Sequence, residues 1–139
     1  MKHFKFYSKE DILSLTKVRR YETKLGERLQ HIKSEGEWTE QIQQSSARYV
    51  LLGVPEDIGV KANYGIGGAD SNWLPFLASF LNMQSNDFVP GDDILLLGHF
   101  DFGDIKFLIE NNAYGHEELI DAYRHALITV DDEVENIVK

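Results

Sequence analysis

The chain contains no cysteine, which excludes a disulfide framework, thiol catalysis and a Cys-ligated zinc site. It has three prolines and shows neither an internal repeat nor a low-complexity linker. No apolar run approaches the roughly 20 residues that a membrane helix requires. The start, Met1-Lys2-His3-Phe4-Lys5-Phe6-Tyr7, is too short and too polar for a secretory signal. No membrane partner is therefore expected, and the cytoplasm is the expected compartment. Positive charge is scarce, with 14 Lys and Arg against 23 Asp and Glu, a net charge of −9 at pH 7. The shortage is uneven: residues 1–46 carry nine cations against seven carboxylates, whereas residues 47–139 carry five against sixteen. An acidic body repels phosphate backbones, so nucleic acid is not an expected partner. Acidity also suits metal-rich or cationic ligands, but solubility explains it as simply.

What is present fits one modest globular domain: 139 residues, 42% hydrophobic and 27% charged. Ser8-Lys9-Glu10-Asp11 reads as a capping box, predicting a short helix through Leu15. The basic Lys17–Arg20 stretch reads as loop, passing into a turn of helix over Glu22–Glu27. Arg19, Arg20, Glu22 and Lys24 form a solvated charged face, with an intersubunit or lid contact as the alternative. A second short helix is predicted from Glu37 to Gln44, with Trp38 and Ile42 on one face. Arg48 to Val54 is the first strong strand, a continuous apolar run expected to be buried on both faces.

Asp70 and Ser71 are N-cap candidates for a helix to about Met83, whose Trp73, Leu74, Phe76, Leu77, Phe80 and Leu81 share one stripe. Pro75 falls within its first turn, where N–H groups have no intrahelical acceptor. Pro90-Gly91-Asp92-Asp93 is a turn into a second buried strand, Ile94 to Leu97, with Gly98 to Asp104 as the loop at its end. From Glu117 onward, Leu119, Ile120, Tyr123, Ala126, Leu127, Val130 and Val134 describe a long amphipathic helix. Helix-linked parallel strands give the α/β class. Two strands make a poor parallel sheet, which points to a piece of something larger.

The segment Leu51-Leu52-Gly53-Val54-Pro55-Glu56-Asp57-Ile58-Gly59-Val60-Lys61-Ala62-Asn63-Tyr64-Gly65-Ile66-Gly67-Gly68-Ala69 is the most informative. An apolar strand there breaks into a carboxylate-bearing turn and a glycine-rich loop. In open α/β sheets ligands sit beyond the carboxyl ends of the strands, which is where Glu56, Asp57 and Asn63 are expected. Adjacent carboxylates can hold a cation or an amidine nitrogen by charge-assisted hydrogen bonds. They can equally close a structural turn by accepting from the loop's own N–H groups. Asn63 and Gly65 lie in a glycine-spaced loop that they can serve simply to shape. Gly65-Ile66-Gly67-Gly68 ahead of a helix could cradle a phosphate, but the full fingerprint spacing and a following Lys-Ser or Lys-Thr are missing, so it reads as loop geometry. His99, Asp101 and Asp104 could ligate a metal at a strand end, yet a hydrogen-bonded loop histidine is the commoner outcome. His3, His31, His116 and His125 lack ligand spacing, and no serine has a nucleophile context.

The pattern Gly-Val-Pro-Glu-Asp-Ile-Gly-Val-x-Ala-Asn-x-Gly over Gly53–Gly65, with Gly68-Ala69 before a helix, resembles the first strand and loop of the arginase superfamily, the ureohydrolases. It is most similar to the formimidoylglutamase-like branch, and Arg20–Glu27, Trp73, Phe76-Leu77, Phe80-Leu81-Asn82 and Gln84-Ser85-Asn86 agree with it. The resemblance implies a three-layer α/β/α fold with a parallel sheet. Residues 1–46 would form an N-terminal helical and loop extension, and residues 47–139 the first part of the arginase-like domain. It also implies manganese-dependent hydrolysis of a carbon–nitrogen bond in a formimidoyl or guanidino group, with N-formimidoyl-glutamate as the preferred small-molecule substrate. In such enzymes two metals lower the pKa of a bridging water that attacks the amidine carbon. The metal-binding segments of that family have no counterpart in this sequence, so no catalytic residue and no metal ligand is assigned, and the chain alone is expected to be inactive. The resemblance implies Glu56, Asp57 and Asn63 as pocket wall, with Lys61 and Asn63 near the ligand at the mouth of the substrate funnel. Two alternatives remain open: a non-catalytic α/β interaction module, dimeric to cover its sheet edge, and a small nucleotide-binding α/β domain using Gly65 to Gly68.

Overall fold

The computed structural model describes residues 2–139. The chain is α/β, with strands β1 (Phe4–Phe6), β2 (Tyr49–Gly53) and β3 (Ile94–Phe100). Its helices are α1 (Lys9–Ser14), α2 (Leu25–Arg28), α3 (Trp38–Gln44), α4 (Ile58–Ala62), α5 (Trp73–Phe80), α6 (Gly103–Glu110) and α7 (His116–Val138). The backbone divides into two compact units that do not follow chain order. One comprises Met1–Phe4, Val54–Asn72 and Phe100–Lys139, and the other Lys5–Gly53 and Trp73–His99.

The strand order is β1-β3-β2, and β2 pairs parallel with β3 from Tyr49↔Ile94 to Gly53↔His99. The first strand was not foreseen. Tyr7 N donates to Leu97 O and Asp101 N donates to His3 O, so numbering rises on one strand as it falls on the other, and β1 runs antiparallel. The sheet is therefore mixed rather than purely parallel. Gly98 sits at a φ of +151°, and a Cβ there would collide with the Lys5 carbonyl oxygen, so only glycine lets β1 approach. The register of β2 on β3 slips by one residue between Leu51 and Leu52.

β3 is the central strand, with Leu95, Leu96 and Leu97 almost fully buried, as its apolar run predicts. It extends to Phe100, three residues beyond the predicted end. β2 departs from expectation. It lies at the sheet edge, and Tyr49 and Val50 are exposed rather than covered on both faces. In the second unit Tyr7, Ile12, Leu77, Leu81 and Leu96 form the core, with Leu51, Trp73 and Phe80 packed against them. α1 begins on the predicted capping box, Ser8 N donating to Asp11 Oδ2 at 2.9 Å and Asp11 N to Ser8 Oγ at 3.2 Å. Asn82 and Met83 lie beyond the end of α5, which stops at Phe80, while Pro75 does fall in its first turn. In the first unit α4 packs on α7, with Ile58, Ala62, Tyr123, Ala126 and Val130 buried.

Candidate functional site

The segment that leaves β2 is built around a helical turn rather than an open loop. Residues Ile58–Ala62 form α4, and Glu56 starts it, Oε2 accepting from Gly59 N at 2.9 Å. Asp57 turns inward and is 2% exposed. Its Oδ2 accepts from Gly68 N at 3.0 Å and from Lys106 Nζ at 3.2 Å, and lies 3.3 Å from Lys61 Nζ. Among the described residues its Oδ1 is buried without a partner. Lys106 also donates to Asp70 Oδ2 at 2.6 Å, and Lys61 to Glu110 Oε1 at 3.0 Å. One carboxylate therefore ties the start of the segment to its glycine-rich end and to α6.

The electrostatics follow from this geometry. Burial by itself would raise the Asp57 pKa, but the donors from Lys106, Gly68 and Lys61 outweigh it and hold the carboxyl below its ordinary value. Burial likewise pulls Lys61 down, and its bonds to Glu110 and Asp57 bring it above the usual lysine value. The bond to Asp70 raises Lys106 most, with Asp57 adding to it. Both lysines remain charged at neutral pH. Gly67 runs so close that a Cβ would meet Asp57 Oδ2 and Lys61 Cε, so the glycine spacing serves close packing. Gly65 N donates to Val60 O at 2.7 Å and Gly68 N to Asp57 Oδ2 at 3.0 Å, so these two N–H groups of the loop are engaged within the segment.

Of the residues singled out in the sequence, Glu56 lines an open groove of about 590 Å³ with Val54, Leu127, Val130, Val134 and Val138. Asn63 is the C-cap of α4 and is exposed. Asp57 is not at the surface. Its partner Lys106, and Asp70 to which Lys106 also donates, escaped sequence reasoning as site residues. The Asp57–Lys61 spacing of four residues was a usable signal once α4 is recognised, whereas Lys106 lies 49 residues away. A second buried polar group was also missed. The ring of His3, 8% exposed, places Nδ1 2.5 Å from Glu133 Oε1 and Nε2 3.0 Å from Asp104 Oδ2.

In the other unit, the carboxyl ends of β2 and β3 carry an aromatic chain. Trp73 packs so closely on Gly53 that a Cβ there would sit 2.5 Å from its ring. Trp73 Nε1 donates to Tyr7 Oη at 2.9 Å, and Tyr7 Oη lies 2.5 Å from His99 Nδ1. Burial pushes the Tyr7 phenol above its usual value, partly offset by the Trp73 bond. Asp101 Oδ1 accepts from Gly103 N at 2.9 Å at the start of α6. Among the described residues no group of three His, Asp or Glu side chains is arranged to hold a metal ion. His99, Asp101 and Asp104 are each engaged elsewhere, and these residues do not fit a manganese centre. No family model, no curated protein and no solved structure matches the chain.

Proposed function

We propose that this chain is the N-terminal portion of a formimidoylglutamase-like ureohydrolase, a cytoplasmic manganese-dependent hydrolase of linear amidines with N-formimidoyl-glutamate as preferred substrate. The fold would be the first part of a three-layer α/β/α sandwich. The observation that carries the reading is the segment leaving the carboxyl end of β2, where ligand-binding loops of open α/β sheets depart. It is braced internally by Asp57, with Glu56 half-buried at the start of α4 and Asn63 exposed at its end. A loop so fixed can present polar groups to a substrate with little entropy to lose. Glu56 and Asn63 would line the pocket directly, and Asp57 would set their positions through Gly68, Lys61 and Lys106. The residues present do not fit manganese, so the metal ligands and the chemical step are assigned to polypeptide outside this sequence.

The test is to express the gene's full reading frame and assay N-formimidoyl-glutamate hydrolysis with added manganese. Manganese-dependent turnover is expected, with Glu56→Gln and Asn63→Ala raising KM. Absence of turnover on formimidoyl and guanidino substrates alike would reject the assignment. A non-catalytic interaction module is the second reading, and the exposed apolar Tyr49 and Val50 on the edge strand favour it. Self-association without any hydrolysis by the full product would select it.

A further inference from the structure

Lys24 belongs to a stretch that reads as solvated, yet it is 4% exposed. Its backbone is pinned on both sides. The Lys24 N–H donates to Glu27 Oε2 at 2.7 Å, and an isolated antiparallel bridge joins Lys24 to Gln84. The side chain is thereby held inside. Its ammonium donates to Asn82 Oδ1 at 2.9 Å, and among the described residues no carboxylate pairs with it. An ammonium has three donors, and a neutral amide oxygen satisfies one while supplying no opposite charge. A cation buried on those terms is costly unless an anion is brought to it.

Asn82 cannot turn away to relieve the arrangement. Its Oδ1 also accepts from Lys17 N at 2.8 Å, and its Nδ2 donates to Leu15 O at 2.9 Å and Ala78 O at 2.7 Å. The amide is fixed at both ends and holds Lys24 in one place. An open pocket of about 520 Å³ lies against these groups, lined among others by Leu15, Lys17, Arg19, Glu22, Lys24 and Asn82. Lys17, Arg19 and Lys24 line it against one acidic residue, Glu22, in a chain whose net charge is −9. Arg19 and Lys17 are exposed and free to close on a ligand. The arginine fork matches paired oxygens of a carboxylate or phosphate, and the lysines act as point charges. Leu15 and Ala78 offer an apolar wall for a carbon skeleton.

We propose that this pocket binds a small organic dianion, a phosphomonoester or a dicarboxylate, with Lys24 as the buried counter-charge and Lys17 and Arg19 closing over its oxygens. The pocket shares no residue with the Val54–Asn72 segment, so the proposal does not rest on the hydrolase reading.

Titration calorimetry on the chain at low ionic strength tests it, with inorganic phosphate in one arm, succinate in another and chloride of equal ionic strength as reference. Saturable one-to-one binding of at least one dianion is expected, and the arm that binds identifies the class. The Lys17→Ala/Arg19→Ala double variant changes only exposed side chains and is expected to weaken binding at least tenfold. Lys24→Met, with its fold checked by circular dichroism, is expected to lose binding. No saturable binding of either dianion, or unchanged affinity in the double variant, overturns the proposal and leaves Lys24 as a structural cation on Asn82.

Discussion

Replacing Asp57 by alanine removes the one acceptor shared by Gly68, Lys106 and Lys61. Breaking a buried charge pair on one side costs about 3–5 kcal/mol, and the lower end is expected here because Lys61 and Lys106 retain side-chain exposures of 21% and 25% and can rehydrate. Urea unfolding of Asp57→Ala measures the loss, and a change within error would remove Asp57 as the brace of the segment. The pH response separates two residues. The Asp57 pKa is lowered by folding, so its contribution is present above the unfolded value of about 3.9 and lost as pH falls through the folded value. His3 has the opposite sign. Burial alone would lower its pKa, but bonds to Glu133 and Asp104 raise it above 6.5. Its contribution is full below about 6.5 and lost as pH rises through the folded value. Stability of the wild-type chain is therefore expected to decline as pH rises above about 6.5, and to decline less in His3→Gln. Equal slopes in the two would show that the Glu133-His3-Asp104 cluster does not govern this range. The His3 cluster was not visible in the sequence, because 130 residues separate His3 from Glu133 and no local pattern spans that distance.

At the level of elements, legibility followed the length of the pattern. β3 and α7 announce themselves because a continuous apolar run and a long 3.6-residue stripe each survive local noise. The capping box placed α1 to within a residue at its end. β1 escaped because three residues carry no period, and its close approach requires Gly98, about two thirds of the chain later. α4 and α6 escaped because glycine opens or interrupts a short segment, Gly59 in one and Gly103 in the other. The apolar run of β2 was taken to mean cover on both faces, but strand order placed it at the edge. Gly98→Ala tests the dependence of β1 on β3. The positive φ and the collision with the Lys5 carbonyl together are expected to cost about 2–6 kcal/mol. Hydrogen exchange should speed at Tyr7, whose N–H bonds to Leu97 O, more than along the β2–β3 pairing. Uniform exchange across both ladders would contradict a local role for Gly98.

For the molecule as a whole, the α/β class was legible and the mixed character of the sheet was not. An edge strand with exposed Tyr49 and Val50, and a groove of Val54, Leu127, Val130, Val134 and Val138, leave apolar surface open in both units. Such surface fits a portion of a larger hydrolase fold, and it fits an interaction module as well. Metal chemistry distinguishes the two halves of the proposal, which assigns a pocket-wall role to the braced segment of this sequence and the manganese ligands to polypeptide outside it. Titration of manganese into the 139-residue chain by calorimetry, with N-formimidoyl-glutamate hydrolysis followed in the same solution, tests that division most directly. No stoichiometric binding and no turnover is the expected result. Tight binding would contradict it, placing a metal site among His99, Asp101, Asp104 or the Glu56-Asp57 pair.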